Sequence, residues 1–173
     1  PVISVTYIWN GFLNVNSGLA GDEESEAGFL EAARGAQEPV VEAVVARHHG
    51  TVGDICRQTT ALLARARRPT GLLVAKPQHV LTVLGHLSRQ GVRVPQDLSV
   101  ISRDDEPFLQ HVLLALARYS ASPTAMARKI SRWVMATVET GVIRPREDRL
   151  MPQFVPGESL AGRVSDRTVL AGG

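Results

Sequence analysis

The sequence predicts an α/β fold, a three-layer α/β/α arrangement around a parallel sheet, on three observations. Strand-like and helix-like runs alternate from the start of the chain to about residue 105. The strand-like runs 71–74 and 98–101 are short and almost wholly apolar, and Gly, Pro or polar clusters separate successive runs. Continuous apolar strands belong to parallel sheets covered by helices on both faces, whereas a sheet with one wet face alternates apolar and polar residues.

Residues 2–8 (VISVTYI), β-branched and aromatic, read as the first strand, followed by a loop over 9–21 rich in Asn, Ser and Gly. Residues 22–34 read as a helix: Asp22, Glu23 and Glu24 suit its positive end, Ala27, Phe29 and Leu30 supply a sheet-facing stripe, and Gly35 ends it. Further strands are expected over 40–45, 71–74 and 98–101, with helices over 52–65 and 79–90, the latter closed by Gly91. Beyond Asp105 the rhythm changes. A short segment over 107–114 leads to a strand over 116–119, and Ser122-Pro123, a good cap and first-turn pair, opens a helix to about Thr140 that Gly141 ends. A charged linker over 144–148, a last strand over 150–155 and a loosely ordered tail from Ala161 complete the reading.

In open parallel sheets ligands bind beyond the carboxyl ends of the strands, so the residues just after each strand are the candidates for a site. They are polar throughout: Trp9 and Asn10 after the first strand, Arg47, His48 and His49 after the second, Lys76 after the third, and Arg103, Asp104 and Asp105 after the fourth. Such a rim would bind a polar small molecule, with Asp104 accepting from hydroxyls, Lys76 and Arg103 holding anionic groups and Trp9 stacking on a ring. Taken singly, each is equally well explained as a loop residue meeting solvent; their convergence is what favours a site. His48 and His49 are adjacent and would point apart in a strand, so they make a poor metal pair.

Composition narrows the field. The chain has 173 residues, 44% hydrophobic, enough for one domain with a real core. Nineteen Lys and Arg against 17 Asp and Glu leave a net charge of +2, too little to argue for phosphate-backbone binding. Cys56 stands alone, which excludes an internal disulfide and a cysteine zinc site, fits a cytoplasmic setting, and reads as a core residue. No apolar run approaches a membrane span, and no secretory leader opens the sequence. The start at Pro1, without an initiator Met and directly in a strand-like run, suggests that sequence upstream was removed. Neither G-x-G-x-x-G, G-x-x-x-x-G-K-[ST] nor G-x-S-x-G occurs, so nucleotide chemistry and a serine-hydrolase elbow are disfavoured, and no cofactor or metal is expected. The run over 79–90 (Val80, Leu81, Val83, Leu84, Leu87) and the apolar segment over 108–116 carry more apolar surface than one stripe needs, so one of them faces a second subunit or lies sandwiched in the domain.

The stretch 68–107, RPTGLLVAKPQHVLTVLGHLSRQGVRVPQDLSVISRDDEP, resembles the effector-domain signature of lactose/galactose-repressor-type (LacI/GalR) transcription regulators, with GVRVPQDLSVISRDDEP its strongest part. SGLAGDEESEAGFLEAA, ALARYSASPTAMARKISRWVMATVETG and RLMPQFVPGESL match further pieces in order, to about Leu160. The resemblance implies a type I periplasmic-binding-protein-like fold with an effector in the cleft and no catalysis. It also implies a division of the chain: residues 1–118 as the C-terminal subdomain, 119–141 as a return strand and helix normally of the N-terminal subdomain, 142–160 as a final strand back in the C-terminal one, and 161–173 as a tail. Operator DNA would then be bound only through a helix-turn-helix absent from this sequence. Homodimerisation would use His79, Leu81, Val83, Leu84, Phe108 and Val112. The apolar face of the last helix (Ala127, Ile130, Val134, Val138) would lack its usual partners and dock elsewhere. At the effector site Asp104 stands at the family's effector-contacting Asp, while Lys76-Pro77 replaces its Asn-Asp, Ser25 a common sugar-contacting Arg, and Ser102-Arg103 its Gly-Phe. These departures imply a more anionic ligand than the family's sugars or a pocket that answers to none, and they permit a Lys76–Asp104 ion pair. A transport-type solute-binding protein of the same fold is the alternative.

Overall fold

The computed structural model describes residues 8–35, 41–142 and 151–161. Their elements are β1 (Ile8–Val15), α1 (Ala20–Gly35), β2 (Val41–His48), α2 (Val52–Leu63), β3 (Gly71–Val74), α3 (Pro77–Arg89), β4 (Ser99–Ser102), a 3-10 turn (Pro107–His111), β5 (Ala117–Ser120), α4 (Pro123–Thr140) and β6 (Gln153–Val155). The strands form one sheet in the order β2-β1-β3-β4-β5-β6, parallel from β2 to β5, with β6 antiparallel at the edge. The predicted α/β class and mostly parallel sheet are therefore present.

The chain runs from β1 out to β2, then back past β1 to β3 and on to β4. Right-handed crossovers in opposite directions put α1 on one face and α2 and α3 on the other. Side chains confirm the division. Phe12 and Leu13, successive and both fully buried, point to opposite faces: the ring of Phe12 lies 5.2 Å from that of Phe29 on α1, whereas Leu13 joins Ile55 and Leu62 of α2 and Val80, Val83 and Leu87 of α3 in the main core.

Two strands are displaced from their predicted positions. The first, expected over 2–8, is Ile8–Val15; Asn10, Gly11 and Asn14 looked loop-like, but a strand lying between β2 and β3 is fixed by the burial of Phe12 and Leu13. Residues 2–7 lie outside the described residues. The second strand runs on to His48, because the alternation of buried Ala46, exposed Arg47 and buried His48 continues the pleat past the apolar run. The linker expected over 144–148 and all but the first residue of the expected tail also fall outside the described residues. Cys56, expected in the core, is half-buried on α2.

Caps follow the sequence closely. The Thr51 hydroxyl accepts from the Asp54 amide to start α2, the Ser122 hydroxyl accepts from Ala125 to start α4, and Gly141 closes α4 at a φ of 66° that few side chains tolerate. No described residue of α4 is buried; Met126, Ile130, Val134 and Val138 are exposed along it.

The segment after β6 wedges in beside the start of β4 and β5. Buried Ser159 donates its hydroxyl to the Val100 carbonyl (2.6 Å), accepts from the Ala117 amide (2.9 Å), and receives the Val100 amide on its own carbonyl (2.9 Å). Gly157 leads into this wedge so closely that a Cβ there would overlap the backbone of Leu116 and Ala117. Gly157→Ala should therefore destabilise the chain by about 1–3 kcal/mol through overpacking against backbone. Denaturant titration checks this, and an unchanged midpoint would contradict the wedge.

Candidate functional site

The sheet ladder continues one residue beyond three of its strands. The Asn16 amide donates to the His48 carbonyl (2.8 Å), Ala75 to Leu13 (3.1 Å) and Arg103 to Val74 (2.9 Å). The backbone at Arg103 and at Ala75, the residue before Lys76, is thereby held by the sheet, as a site with defined geometry requires.

Facing them is the first turn of α1. Buried Asn14 donates through Nδ2 to the Asp22 carbonyl (3.0 Å) and fixes that turn over the end of β1. The Asp22 carboxylate, its side chain 5% exposed, then gathers three donors: Ser17 Oγ at 2.6 Å on one oxygen, and Lys76 Nζ at 3.0 Å and Arg103 Nη1 at 3.2 Å on the other. Burial alone would raise its pKa; the bonds from Ser17, Lys76 and Arg103 outweigh burial and bring it down to about 2. Arg103 turns its outer edge to Asp104, Nη2 at 2.9 Å and Nε at 3.3 Å from the carboxylate. Burial opposes the charge of Arg103, but Asp104 and Asp22 more than compensate and raise its pKa. Buried Ser102 donates its hydroxyl to the Asp104 carbonyl (2.6 Å), which pins the backbone there.

Lys76, Arg103 and Asp104 thus meet at one rim as the sequence suggested, but their pairing differs. Lys76 bonds Asp22 rather than Asp104, because the first turn of α1 puts a deeper carboxylate within its reach. Asp22 is the member that the sequence reading missed as a site residue: it read only as one of three acids at a helix start, and its partner Arg103 lies 81 residues away.

Other expected members are elsewhere. Trp9 and Asn10 belong to the opposite end of the sheet, since β1 ends at Val15 and Asn10 is in register with Gly71 at the start of β3. The rim residues from β1 are instead Asn14, Asn16 and Ser17, which with Asp22, Glu23, Glu26 and Arg47 line an open hollow of about 400 Å³. Arg47 and Glu26 pair across it. Ser25 spends its hydroxyl on the Gly21 carbonyl within α1 (2.6 Å). His48, expected at the rim, is wholly buried: Nδ1 accepts from the Gly50 amide (3.0 Å) and its ring packs edge-on to His79 at 4.7 Å, leaving His48 Nε2 and His79 Nδ1 without partners. Burial first, then the neighbouring His79, lowers the His48 pKa to about 4 although Asp54 pulls the other way. Of the residues expected at a dimer face, Val83 and His79 are buried within the chain, Leu84, Phe108 and Val112 pack partly against its core, and Leu81 is exposed. Among the described residues, no group of three or more His, Cys, Asp or Glu could hold a metal ion, and no helix is long and apolar enough to cross a membrane.

The carboxyl ends of the strands, where this polar rim lies, are where open α/β domains bind their ligands. More particularly, the chain belongs to the family of periplasmic binding protein-like domains, whose pattern matches residues 6–160. Solved structures share the fold. A LacI family transcriptional regulator from Bifidobacterium animalis subsp. lactis superposes with a TM-score of 0.75 at 20% identity over 88% of this chain and 55% of that one. A sugar-binding transcriptional regulator of the LacI family from Escherichia coli, in complex with phosphate, gives 0.67 at 19% identity over 87% and 54%. A LacI family regulator from an Arthrobacter species, in complex with lactose, gives 0.68 at 19% identity over 88% and 57%. The chain therefore spans little more than half the length of these proteins. No curated protein sequence matches it.

Two pH effects follow. Asp22 has a folded pKa below its ordinary 3.8, so its stabilisation is present above about pH 4 and is lost as the pH falls toward 2. Asp22→Asn should cost about 2 kcal/mol at neutral pH, with the gap to wild type closing below pH 2, as read from urea midpoints across pH. A gap that persists at pH 2 would rule out an ionic role. His48 also titrates below its ordinary 6.5, so its contribution is complete above that pH and lost as pH falls toward 4. His48→Phe should remove a drop on the order of 3 kcal/mol in that window; equal acid sensitivity in both proteins would show a hydrated imidazole.

Proposed function

We propose that this chain is the effector-binding portion of a LacI/GalR-type transcription regulator, cytoplasmic and without catalytic activity. The observation that carries the reading is the charged rim: Arg103, held by the sheet ladder, and Lys76, next to ladder-held Ala75, converge with Asp22 and Asp104 beyond the carboxyl ends of β3 and β4. The regulator-like GVRVPQDLSVISRDDEP segment supplies Arg103 and Asp104, and the solved structures of like fold are regulators, two of them holding lactose and phosphate. A second subdomain would close over the rim when a polar small molecule binds. Closure would alter the spacing of two DNA-binding heads in a homodimer, so that ligand and operator affinities become linked. Leu81 is the exposed apolar residue of α3 for such a dimer face, and Leu113, fully exposed beyond the 3-10 turn, lies in the second apolar segment expected there.

Calorimetric titration of the full-length protein with sugars, sugar phosphates and nucleosides tests this. One class should bind and change operator affinity by roughly 5- to 150-fold. Binding without any operator effect would favour a solute-binding protein of the same fold; no binding at all would remove the effector reading.

A further inference from the structure

Within that rim the two carboxylates are not equivalent. Asp22 is 5% exposed, is held by three side chains and has its first turn pinned by Asn14. The Asp104 side chain is 49% exposed, and among the described residues its side-chain partner is the neighbouring Arg103, in an ion pair between adjacent residues. Solvent can take over from Arg103 at this half-exposed acid, whereas it cannot reach Asp22. The backbone of Asp104 is fixed by Ser102, so only its side chain need move to expose Arg103.

Removing that side chain leaves an unbalanced charge. Lys76 and Arg103 are 28% and 18% exposed, and with Asp22 between them they total one net positive charge. Two nearby acids are already engaged, Asp105 by Arg118 (2.6 Å) and Glu26 by Arg47, while Glu23 on the same hollow is exposed and pairs with neither cation. A neutral ligand that displaced Asp104 would strand a partly desolvated cation. An oxyanion would restore the balance, and the outer Nε/Nη2 edge of Arg103 is the fork that receives one with two parallel bonds.

We propose that the ligand of this rim carries a carboxylate or phosphate group, which binds Arg103 in the place held by the Asp104 carboxylate. Asp104 is then an internal stand-in for the ligand's anion, and the ligand-free site is closed by its own side chain. The proposal rests on the reading of the rim as an effector site. It gives Asp104 the role of a competitor in place of a hydroxyl acceptor.

Titration of the full chain with inorganic phosphate, acetate and lactose, in wild type and Asp104→Asn, separates the possibilities. Phosphate or acetate should bind wild type weakly and Asp104→Asn about tenfold more tightly, with the favoured probe naming the class of anion. A folding defect cannot produce tighter binding, so this arm stands even if Arg103→Gln, expected to abolish anion binding, proves unstable. Lactose binding that is lost in Asp104→Asn, with no response to either anion, would overturn the proposal while leaving the effector site intact. Failure of all three probes in both proteins would overturn the proposal and count against the effector reading itself.

Discussion

The rim depends on one buried charge, the Asp22 carboxylate. It joins the first turn of α1 to the ends of β3 and β4 through side chains. Taking a carboxylate from water is costly, and the cost is met only by well-placed partners. Here Ser17 comes from the loop before α1, Lys76 from the turn after β3 and Arg103 from the end of β4. Loss of either cation leaves the buried carboxylate with a single counter-charge, and loss of Ser17 removes a neutral donor, so each connection supports the other two. The separation between β1, β3 and β4, set by backbone pairing, is also the separation at which one carboxylate can reach both cations.

The sequence disclosed the parts of this arrangement that are local. The strand Gly71–Val74, the helix behind it and the strand Ser99–Ser102 lie within two residues of their expected bounds, because each is a short apolar-rich or helically spaced run bounded by Pro69, Gly91 or Pro95. Lys76, Arg103 and Asp104 were legible for the same reason: they are the first charged residues beyond those runs. β1 was not legible, since Asn10, Gly11 and Asn14 read as loop and only the neighbours β2 and β3 make Phe12 and Leu13 a core pair. The misplacement carried Trp9 and Asn10 to the wrong end of the sheet. The pairing of Asp22 with Arg103 spans 81 residues and leaves no periodic trace in the chain.

His48 shows why polar residues near a strand end need not belong to a rim. As a dipeptide with His49 it looked like solvent-facing loop, yet it is the last inward residue of β2, packed against His79 from the first turn of α3. The same turn begins at Lys76, so α3 presents a cation to the rim and an imidazole to the core within one turn. Lys76 also helps lower the His79 pKa, after burial. The charged site and the neutral imidazole pair are therefore adjacent but opposite in demand: one requires ionised groups with partners, the other requires groups that stay uncharged.

This adjacency limits how a ligand could act on the rest of the fold. The backbone of Arg103 is fixed in the β3–β4 ladder and that of Asp104 by Ser102, so binding at their side chains cannot displace β4 without breaking sheet hydrogen bonds. The softer connection is α1, whose first turn is attached to the rim through Asn14, Ser17 and the two bonds of Asp22. A ligand that draws Arg103 outward weakens its 3.2 Å bond to Asp22 and leaves Lys76 as that carboxylate's remaining cation. The strain then falls on the turn before α1, where Gly18 adopts a φ of 68° and the chain has room to re-form. The rigid sheet holds the binding groups while α1 is the element able to register their occupation, and a conformational response to ligand should begin there.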